Sequence, residues 1–318
     1  MAAAFSLVYG MAWAQGKTDG DLWKPSAPVT VIVPYGAGGG QDVRARVFVK
    51  YAEKYAGQKF VVEDRPGGSG TIGNTAIANA RPNGRTLGMF HSLSLYDQYV
   101  VPGVTYTEKS FIPLAIFTSD SNVIVVNKKL GVTDLQGLVE KARQSPGKLI
   151  WCGPEFSSQT YPRMSLENAT GIKFAKMIFD GGAKSLVAVA GGDCDATTVF
   201  ASEYAPFADN ADVVKIASCG TKRLSALPEV PTMIEQGVNA TFAQWGYIVA
   251  PAGMPDNIVK GFQDIFQKAL NDPDCIKELQ AAGFETVNIG GPEAVSFALK
   301  LFEDSKEVII STAKQAKP

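Results

Sequence analysis

Histidine and cysteine are scarce in this chain, and their scarcity argues against several kinds of chemistry. Among 318 residues there is one histidine, His91, and there are four cysteines, at positions 152, 194, 219 and 275. No two cysteines have the C-x-x-C spacing of zinc or redox sites, and a single imidazole cannot form an H-E-x-x-H metal site. The sequence therefore predicts no metal and no cofactor. It leaves open whether the cysteines are buried thiols or form disulfides.

An excess of one charge and long apolar runs are also missing. The formal net charge is −1 and no basic block or stripe is present, which argues against a nucleic-acid partner. After the N-terminus, no apolar run reaches the length of a transmembrane helix. Hydrophobic residues make up 46% and charged residues 19% of the chain, as in a globular protein with a substantial core. The length is sufficient for two ordinary domains.

The N-terminal segment 1–14 is predicted to be a signal segment. Its residues are mostly apolar, and Ala12-Trp13-Ala14 satisfies the small-x-small rule for cleavage before Gln15. However, no Lys or Arg precedes Lys17, so the positive region of a signal peptide is missing. A translation start further upstream would explain this, and a disordered tail is the alternative. The cleavage pattern favours export to the periplasm.

Strand-like runs alternate with helix-like runs along almost the whole chain, which is the pattern of an α/β protein. The predicted strands are Val29–Pro34, Phe60–Glu63, Thr86–Phe90, Leu114–Phe117, Asn122–Asn127, Lys148–Cys152, Ala175–Phe179, Ala196–Phe200, Val213–Ser218 and Gln244–Ala250. The predicted helices are Asp42–Tyr55, Gly73–Ala80, Thr133–Gln144, Gln159–Ala169, Lys184–Ala190, Pro255–Leu270, Asp274–Ala281 and Pro292–Lys314. The helix after Val132 opens on a predicted capping box, Thr133-x-x-Gln136. No low-complexity linker is present, so two lobes joined by short crossing strands fit the pattern. The candidate crossings are the uninterrupted strand pair Leu114–Phe117 and Asn122–Asn127, and the return segment Thr241–Pro251.

The stretch Val31–Asp42 is the strongest ligand-binding signal in the sequence. Strand residues lead into four glycines in the five positions 36–40, and a helical pattern follows. Glycines let successive N–H groups point into one space, and the helix N-terminus adds the positive end of its dipole, so the loop can hold an anion. A P-loop lysine and the third glycine of a dinucleotide fingerprint are both missing, which favours a carboxylate over a phosphate. A plain tight turn that binds nothing is the remaining alternative.

Four further turns rich in glycine or hydroxyl groups follow predicted strands. They are Arg65–Gly73, His91–Ser94, Gly153–Thr160 and Asp180–Gly182. In open α/β sheets such turns gather at one edge, and neutral donors suit a carboxylate that is bound reversibly. The signals for catalysis are weak, because Ser157 and Ser158 lie outside a G-x-S-x-G motif. A lone His91 also needs a partner that the sequence does not identify.

Taken in order, these motifs resemble the periplasmic solute-binding proteins of tripartite tricarboxylate transporters, known as the Bug or TctC-like family. The matching stretches are Val31–Arg46, Val61–Gly73, Ala80–Leu87, Lys222–Gly237 and Trp245–Pro255. The resemblance implies a two-lobed periplasmic-binding-protein fold, type II-like, with a ligand cleft that closes like a Venus flytrap. We assign a discontinuous lobe 1 to 28–120 plus 245–318, and lobe 2 to 121–244.

The resemblance also implies a set of ligand-binding residues, carried over from the matching motifs. In lobe 1 they are Tyr35, Gly36, Ala37, Gly38, Gly39, Asp42 and Ser92, and in lobe 2 they are Ser157, Thr160, Gly181 and Gly182. We expect Asp42 to cap and orient the glycine loop rather than touch the ligand, because its charge would repel an anion.

The second lobe departs from the family pattern. Thr160 stands where the family often has histidine, and Phe179-Asp180-Gly181 replaces a common Tyr-Lys-Gly run. A ligand-facing aspartate of the family maps near Val199. We therefore expect Phe179, Val199 and Phe200 to offer an apolar wall to a less polar distal group of the ligand.

The function implied by the resemblance is that of a binding protein and not of an enzyme. It would act as a monomer, capture a small organic carboxylate and deliver it to membrane permease subunits. Two other classes stay open. One is a carboxylate-sensing protein for a signalling receptor. The other is a serine-type hydrolase that uses the same cleft, which turnover abolished by Ser157→Ala would favour.

Overall fold

The computed structural model describes residues 22–154, 158–179 and 181–315. The predicted signal segment, Ser157 and Asp180 lie outside the described residues. The strands are β1 (Val29–Val33), β2 (Phe60–Asp64), β3 (Thr86–His91), β4 (Phe111–Asn127), β5 (Ile150–Gly153), β6 (Ala175–Ile178), β7 (Ala196–Phe200), β8 (Val213–Ser218), β9 (Ala243–Pro251) and β10 (Thr286–Gly290). The helices are α1 (Gly40–Ala56), α2 (Thr71–Ala78), α3 (Asp97–Val100), α4 (Leu135–Gln144), α5 (Tyr161–Thr170), α6 (Gly182–Gly191), α7 (Ala201–Tyr204), α8 (Asp256–Leu270), α9 (Pro273–Ala281) and α10 (Gly291–Gln315).

The strands form two sheet regions that share β4. In the first region the order is β2-β1-β3-β9-β4, with β1 parallel to β2 and β3, and β10 pairs with β4 as well. In the second region β4 is followed by β7, β5 and β6, and β8 also pairs with β4. Helices cover both regions, so each is an α/β layer structure with its own core. The predicted α/β class is confirmed.

Strand β4 connects the two regions without a break. It pairs with β9 from Phe111 to Ser121 and with β7 from Asn122 to Val126. The sequence predicts two strands here that together form a candidate crossing, and the structure has one continuous strand in their place. The residues between the two predicted strands are polar, which is typical of a turn. In the structure, however, Thr118, Asp120 and Ser121 are buried within the strand.

Four clusters of buried apolar residues lie on the faces of the two sheet regions. In the first region, Phe48 of α1 stacks on Phe117 of β4 with ring centroids 4.2 Å apart. The opposite face packs Tyr247 against residues of α10 such as Phe302. In the second region, the cluster around Leu138 and the cluster around Leu186 cover the two faces. Burial of these apolar surfaces is the main stabilising term for each lobe.

Two further predictions of secondary structure differ from the structure. Helix α4 begins at Leu135, and its N-cap is Asp134, whose side chain accepts a hydrogen bond from Gly137 N at 2.7 Å, so the predicted capping box at Thr133 is wrong. Strand β10 was not predicted, because it is half-buried and lacks a clear alternation of apolar and polar residues. Within the described ranges, no helix combines the length and the apolar character needed to cross a membrane.

Candidate ligand-binding site

The first glycine loop lies between β1 and α1 and is open to solvent. Residues Gly36 to Gly40 are all exposed, and Gly38 adopts a φ of 77°, a left-handed conformation that favours glycine. Helix α1 is 17 residues long, and among the described residues no side chain caps its N-terminus at Gly39. The N–H groups at the start of this long helix therefore lie next to the exposed loop, together with the positive end of the helix dipole. This arrangement can bind a carboxylate.

Asp42 holds this loop from its buried side. Its Oδ2 accepts a hydrogen bond from Gly38 N at 2.8 Å, and its Oδ1 pairs with Arg46 Nε at 2.6 Å. Only 4% of Asp42 is exposed. Its carboxylate is thus occupied by the loop and by Arg46, and it orients the loop without presenting a negative charge to an incoming anion.

Tyr35 joins the first glycine loop to two neighbouring turns. Its hydroxyl and His91 Nε2 share a hydrogen bond, and the two rings stack with centroids 5.4 Å apart. Its Oη also lies 2.7 Å from where a Cβ on Gly70 would be. A larger residue at position 70, in the turn before α2, would therefore overlap the Tyr35 hydroxyl. Burial, followed by the nearby charge of Arg44, lowers the pKa of His91 to about 3. The imidazole that shares this hydrogen bond with Tyr35 is therefore neutral at pH 7.

Ser92 begins the 3₁₀ turn Ser92–Tyr96 that follows β3. Its Oγ accepts a hydrogen bond from Trp245 N at 3.2 Å, which ties this turn to the return crossing β9. Ser92 also lines a cavity of about 580 Å³ between this turn, α5, the crossing segment and α10. Four aromatic residues line the cavity as well, and two of them, Tyr161 and Phe242, stack there with centroids 5.4 Å apart. Of the site residues predicted from the sequence, Ser92 is the one that contributes to this cavity.

The second lobe places Thr160 and the Gly181-Gly182 pair at the ends of β5 and β6. Thr160 Oγ1 donates a hydrogen bond to the carbonyl of Pro154, so it braces the loop before α5. Gly182 opens α6, a helix of 10 residues. A Cβ on Gly182 would lie 2.5 Å from Glu203 Oε2 and would also overlap Gln159 Nε2. The space beside Gly182, the first residue of α6, is therefore filled by the side chains of Gln159 and Glu203.

Glu203 connects the three loops that follow β5, β6 and β7. Its Oε2 accepts hydrogen bonds from Gln159 Nε2 at 2.5 Å and from Phe200 N at 2.9 Å. Thr198 Oγ1 in turn donates to the carbonyl of Gln159. Burial raises the pKa of Glu203 above its usual value. The sequence analysis missed both Glu203 and Gln159, because no motif marks a carboxylate that is contributed by a short helix.

A bridge of contacts from lobe 1 reaches this part of lobe 2. The ring of Phe284 lies 3.9 Å from where a Cβ on Gly40 would be, at the start of α1. Next to it, a Cβ on Gly283 would lie 3.7 Å from Cβ of Ser202, the neighbour of Glu203. The segment Gly283-Phe284 of lobe 1 therefore lies between the start of α1 and Ser202, the residue next to Glu203 in lobe 2.

The predicted site residues fall into two groups on opposite sides of this space. Tyr35, the glycine loop and Ser92 are linked through His91 in lobe 1. Thr160 and Gly182 lie beside Gln159 in lobe 2. The expectation that Val199 forms an apolar wall is not met, because it is fully buried in the cluster around Leu186.

Two α/β lobes that share a crossing strand and direct loops into one cleft define a two-lobed solute-binding protein. The comparisons with known proteins agree. The family model described as "Tripartite tricarboxylate transporter family receptor", TctC, matches residues 44–313. Protein BugT of Bordetella pertussis is 26% identical over 264 residues, which cover 81% of this chain and 81% of that relative.

Solved structures give the same result. A TctC solute-binding protein from Polaromonas superposes with a TM-score of 0.78 at 25% identity, covering 90% of this chain and 97% of that one. The structure of R. palustris Rpa4515 with adipate gives a TM-score of 0.72 at 25% identity, covering 90% of this chain and 98% of that one. This chain belongs to the tripartite tricarboxylate transporter receptor family, so the family and the two-lobed fold predicted from the sequence are both confirmed.

Proposed function

We propose that this receptor captures a small organic carboxylate in the cleft between its lobes and delivers it to membrane permease subunits. The observation that carries the proposal is the exposed glycine loop at the N-terminus of α1, where backbone N–H groups are available to an anion. The adipate in the related R. palustris structure supports a carboxylate as the ligand class. The predicted set of binding residues is part of this proposal. It comprises Tyr35, Gly36, Ala37, Gly38, Gly39, Asp42, Ser92, Ser157, Thr160, Gly181 and Gly182.

The division into lobes follows the sheet pairing. We propose lobe 1 as 28–120 plus 245–318 and lobe 2 as 121–244. In support, β4 changes its partner from β9 to β7 between Ser121 and Asn122. A ligand that touches both lobes stabilises the closed form through contacts that the open form lacks, and the crossing strands serve as the hinge.

Binding without turnover is the activity that the site supports. The one histidine of the chain is buried against Tyr35, and its pKa of about 3 makes it a poor general base at neutral pH. We propose further that the protein acts as an exported monomer in the periplasm, the compartment of the family's receptors.

The first experiment is thermal unfolding of the purified protein with mono-, di- and tricarboxylates. A ligand at a hundredfold excess over its dissociation constant stabilises the native state by about 2.7 kcal/mol. We expect one carboxylate class to raise Tm and to lose that effect in Gly38→Ala, since alanine is strained at a φ of 77°.

The matched control for this variant is Gly147→Ala. Gly147 also has a positive φ, 68°, and among the described residues no atom lies within 4 Å of its Cβ position. It belongs to a turn of lobe 2 just before Lys148 and β5. Gly147→Ala should carry a similar backbone strain but keep the ligand-induced shift. If no carboxylate stabilises the folded, ligand-stripped wild type, the proposal is wrong.

A further inference from the structure

The side of the cleft opposite the first glycine loop carries an internal carboxylate. Gly182 begins α6 at the end of β6, in the position that the glycine loop and α1 have in lobe 1. Exposed helix N-termini attract anions, so an empty one here would suit the second carboxylate of a dicarboxylic ligand. The N-terminus of α6 is not empty, however. The Glu203 carboxylate lies beside its first residue, with Oε2 2.5 Å from where a Cβ on Gly182 would be.

The position of Glu203 is fixed by several contacts. Its Oε2 accepts hydrogen bonds from Phe200 N at 2.9 Å and from Gln159 Nε2 at 2.5 Å. Gln159 is itself held, since its carbonyl accepts from Thr198 Oγ1, and only 6% of its surface is exposed. Displacing Glu203 would break its hydrogen bonds with the Gln159 amide and with the Phe200 N–H, and the loss of a hydrogen bond is unfavourable for groups shielded from water. A bound ligand is therefore expected to meet the Glu203 carboxylate in its present position.

We infer that Glu203 selects against a second carboxylate on the ligand and favours a carboxylate whose distal end donates a hydrogen bond, such as a hydroxyl or an ammonium group. The inference rests on the proposed function, in which the first glycine loop binds the proximal carboxylate. Two carboxylates brought together at the N-terminus of α6 would repel each other, and like-charge juxtaposition in an interface is strongly unfavourable. A distal donor instead meets an acceptor that is already in place. Specificity thus arises from a repulsive element as well as an attractive one.

The test is isothermal titration with ligands that differ only at the distal end. Each dicarboxylate from malonate to adipate is paired with the ω-hydroxy monocarboxylate of the same chain length. For the length that binds best, we expect the wild type to prefer the hydroxy acid by about tenfold or more, which corresponds to 1.4 kcal/mol. In Glu203→Gln, which removes the charge but keeps the shape, the preference should fall to about threefold or less.

The matched control is Glu140→Gln. Glu140 lies on the exposed side of α4 in the same lobe, so its replacement makes the same change in net charge away from the cleft. It should leave the preference as in the wild type. Circular dichroism and Tm establish that each variant is folded, and the comparison of ligands in the wild type needs no variant at all.

Two results would overturn the inference while the proposed function stands. One is a wild type that binds the dicarboxylate as tightly as its hydroxy partner, with binding that Gly38→Ala abolishes. The other is a folded Glu203→Gln that keeps the full preference. If neither ligand of any pair binds the wild type, the proposed carboxylate function itself fails, and the inference fails with it.

Discussion

Arg44 of α1 and Asp120 of the crossing strand β4 form a buried ion pair, with Nη2 and Oδ2 2.5 Å apart. Arg44 Nη1 also donates to Thr118 Oγ1 at 2.7 Å, and its guanidinium lies over the ring of Phe284, 4.7 Å from the centroid. The helix that carries the glycine loop is thereby fixed to the strand that leads into lobe 2. Because Arg44 bonds to Asp120 and Thr118, its positive charge lies against β4, the strand that crosses between the lobes.

Removal of one partner of this pair should destabilise the protein strongly. Asp120→Asn leaves the Arg44 charge buried and unpaired, and such changes cost about 3–5 kcal/mol. The free energy of unfolding in urea measures the effect. Asp304→Asn is the control, because its pair with Lys300 is exposed, with relative side-chain areas of 75% for Lys300 and 58% for Asp304. Exposed pairs contribute about 0–1 kcal/mol, so an Asp120→Asn loss as small as that of the control would contradict the buried geometry.

The close approach of α2 to the end of β1 gives a second prediction. A Cβ on Gly73 would lie 2.6 Å from Pro34 Cα and 2.9 Å from the carbonyl oxygen of Arg65, and both are backbone atoms that cannot turn aside. Gly73→Ala should therefore destabilise the protein by about 1–3 kcal/mol, the usual effect of overpacking. Urea unfolding is again the measurement.

Gly36→Ala provides the contrast for this variant. Among the described residues, no atom lies within 4 Å of its Cβ position, and its φ is not in the left-handed region. Its free energy of unfolding should stay within about 0.5 kcal/mol of the wild type, as for most surface substitutions. Equal losses in the two variants would show that the approach of α2 to Pro34 is not as tight as the structure has it.

Much of the fold follows from the sequence because its elements are strongly periodic. Strands such as Val29–Val33 and helices such as Asp256–Leu270 carry apolar residues at the spacing of their own secondary structure, and both were predicted to within a residue. The crossing strand was predicted as two strands because the residues from Thr118 to Ser121 are polar. Their polarity is explained by a tertiary contact, which local patterns do not show. Arg44 satisfies part of this polarity, and its partner lies 76 positions away in the sequence, beyond the reach of local patterns.

The same limit applies to the site. Glycine loops are local features, so the loop at Gly36–Gly39 was found from the sequence alone. Glu203 was missed because its role depends on Gln159 and Gly182, which lie on other loops. Asp42, by contrast, was expected to orient the loop because its charge would repel an anion, and its partner Gly38 lies only four residues away.

The four cysteines should be unreactive thiols in the native protein. All four are buried and free, and no disulfide links them in the described structure. Burial raises the pKa of Cys275 to about 12, and it raises the pKa of Cys152 and Cys219 as well, so little thiolate is present at neutral pH. We expect a thiol reagent such as DTNB to react slowly with the native protein and to titrate four thiols in guanidinium. Fewer thiols in the unfolded, unreduced protein would reveal a disulfide and contradict the structure.

Two buried groups near Tyr35 should give the protein opposing responses to pH. Burial, followed by the charge of Arg44, lowers the pKa of His91 from 6.5 to about 3. Burial raises the pKa of Asp97 from 3.8 to about 6, against the hydrogen bonds that Tyr106 and Asn74 donate to it. As pH falls, the unfolded chain protonates His91 first, so stability is lost from about pH 6.5 downward. For Asp97 the folded state protonates first, so stability is gained as pH falls from about 6 toward 3.8.

Differences between wild type and single variants separate the two responses. Between pH 7 and pH 5, the stability of the wild type relative to His91→Gln should fall by about 2 kcal/mol, because one pKa unit corresponds to 1.36 kcal/mol. Relative to Asp97→Asn it should rise by about 1 kcal/mol over the same range. Urea unfolding at both pH values measures each difference, and groups common to both proteins cancel. A His91 difference that does not change with pH would mean that the imidazole is solvated rather than buried against Tyr35, and the neutral state assigned to His91 would then be wrong.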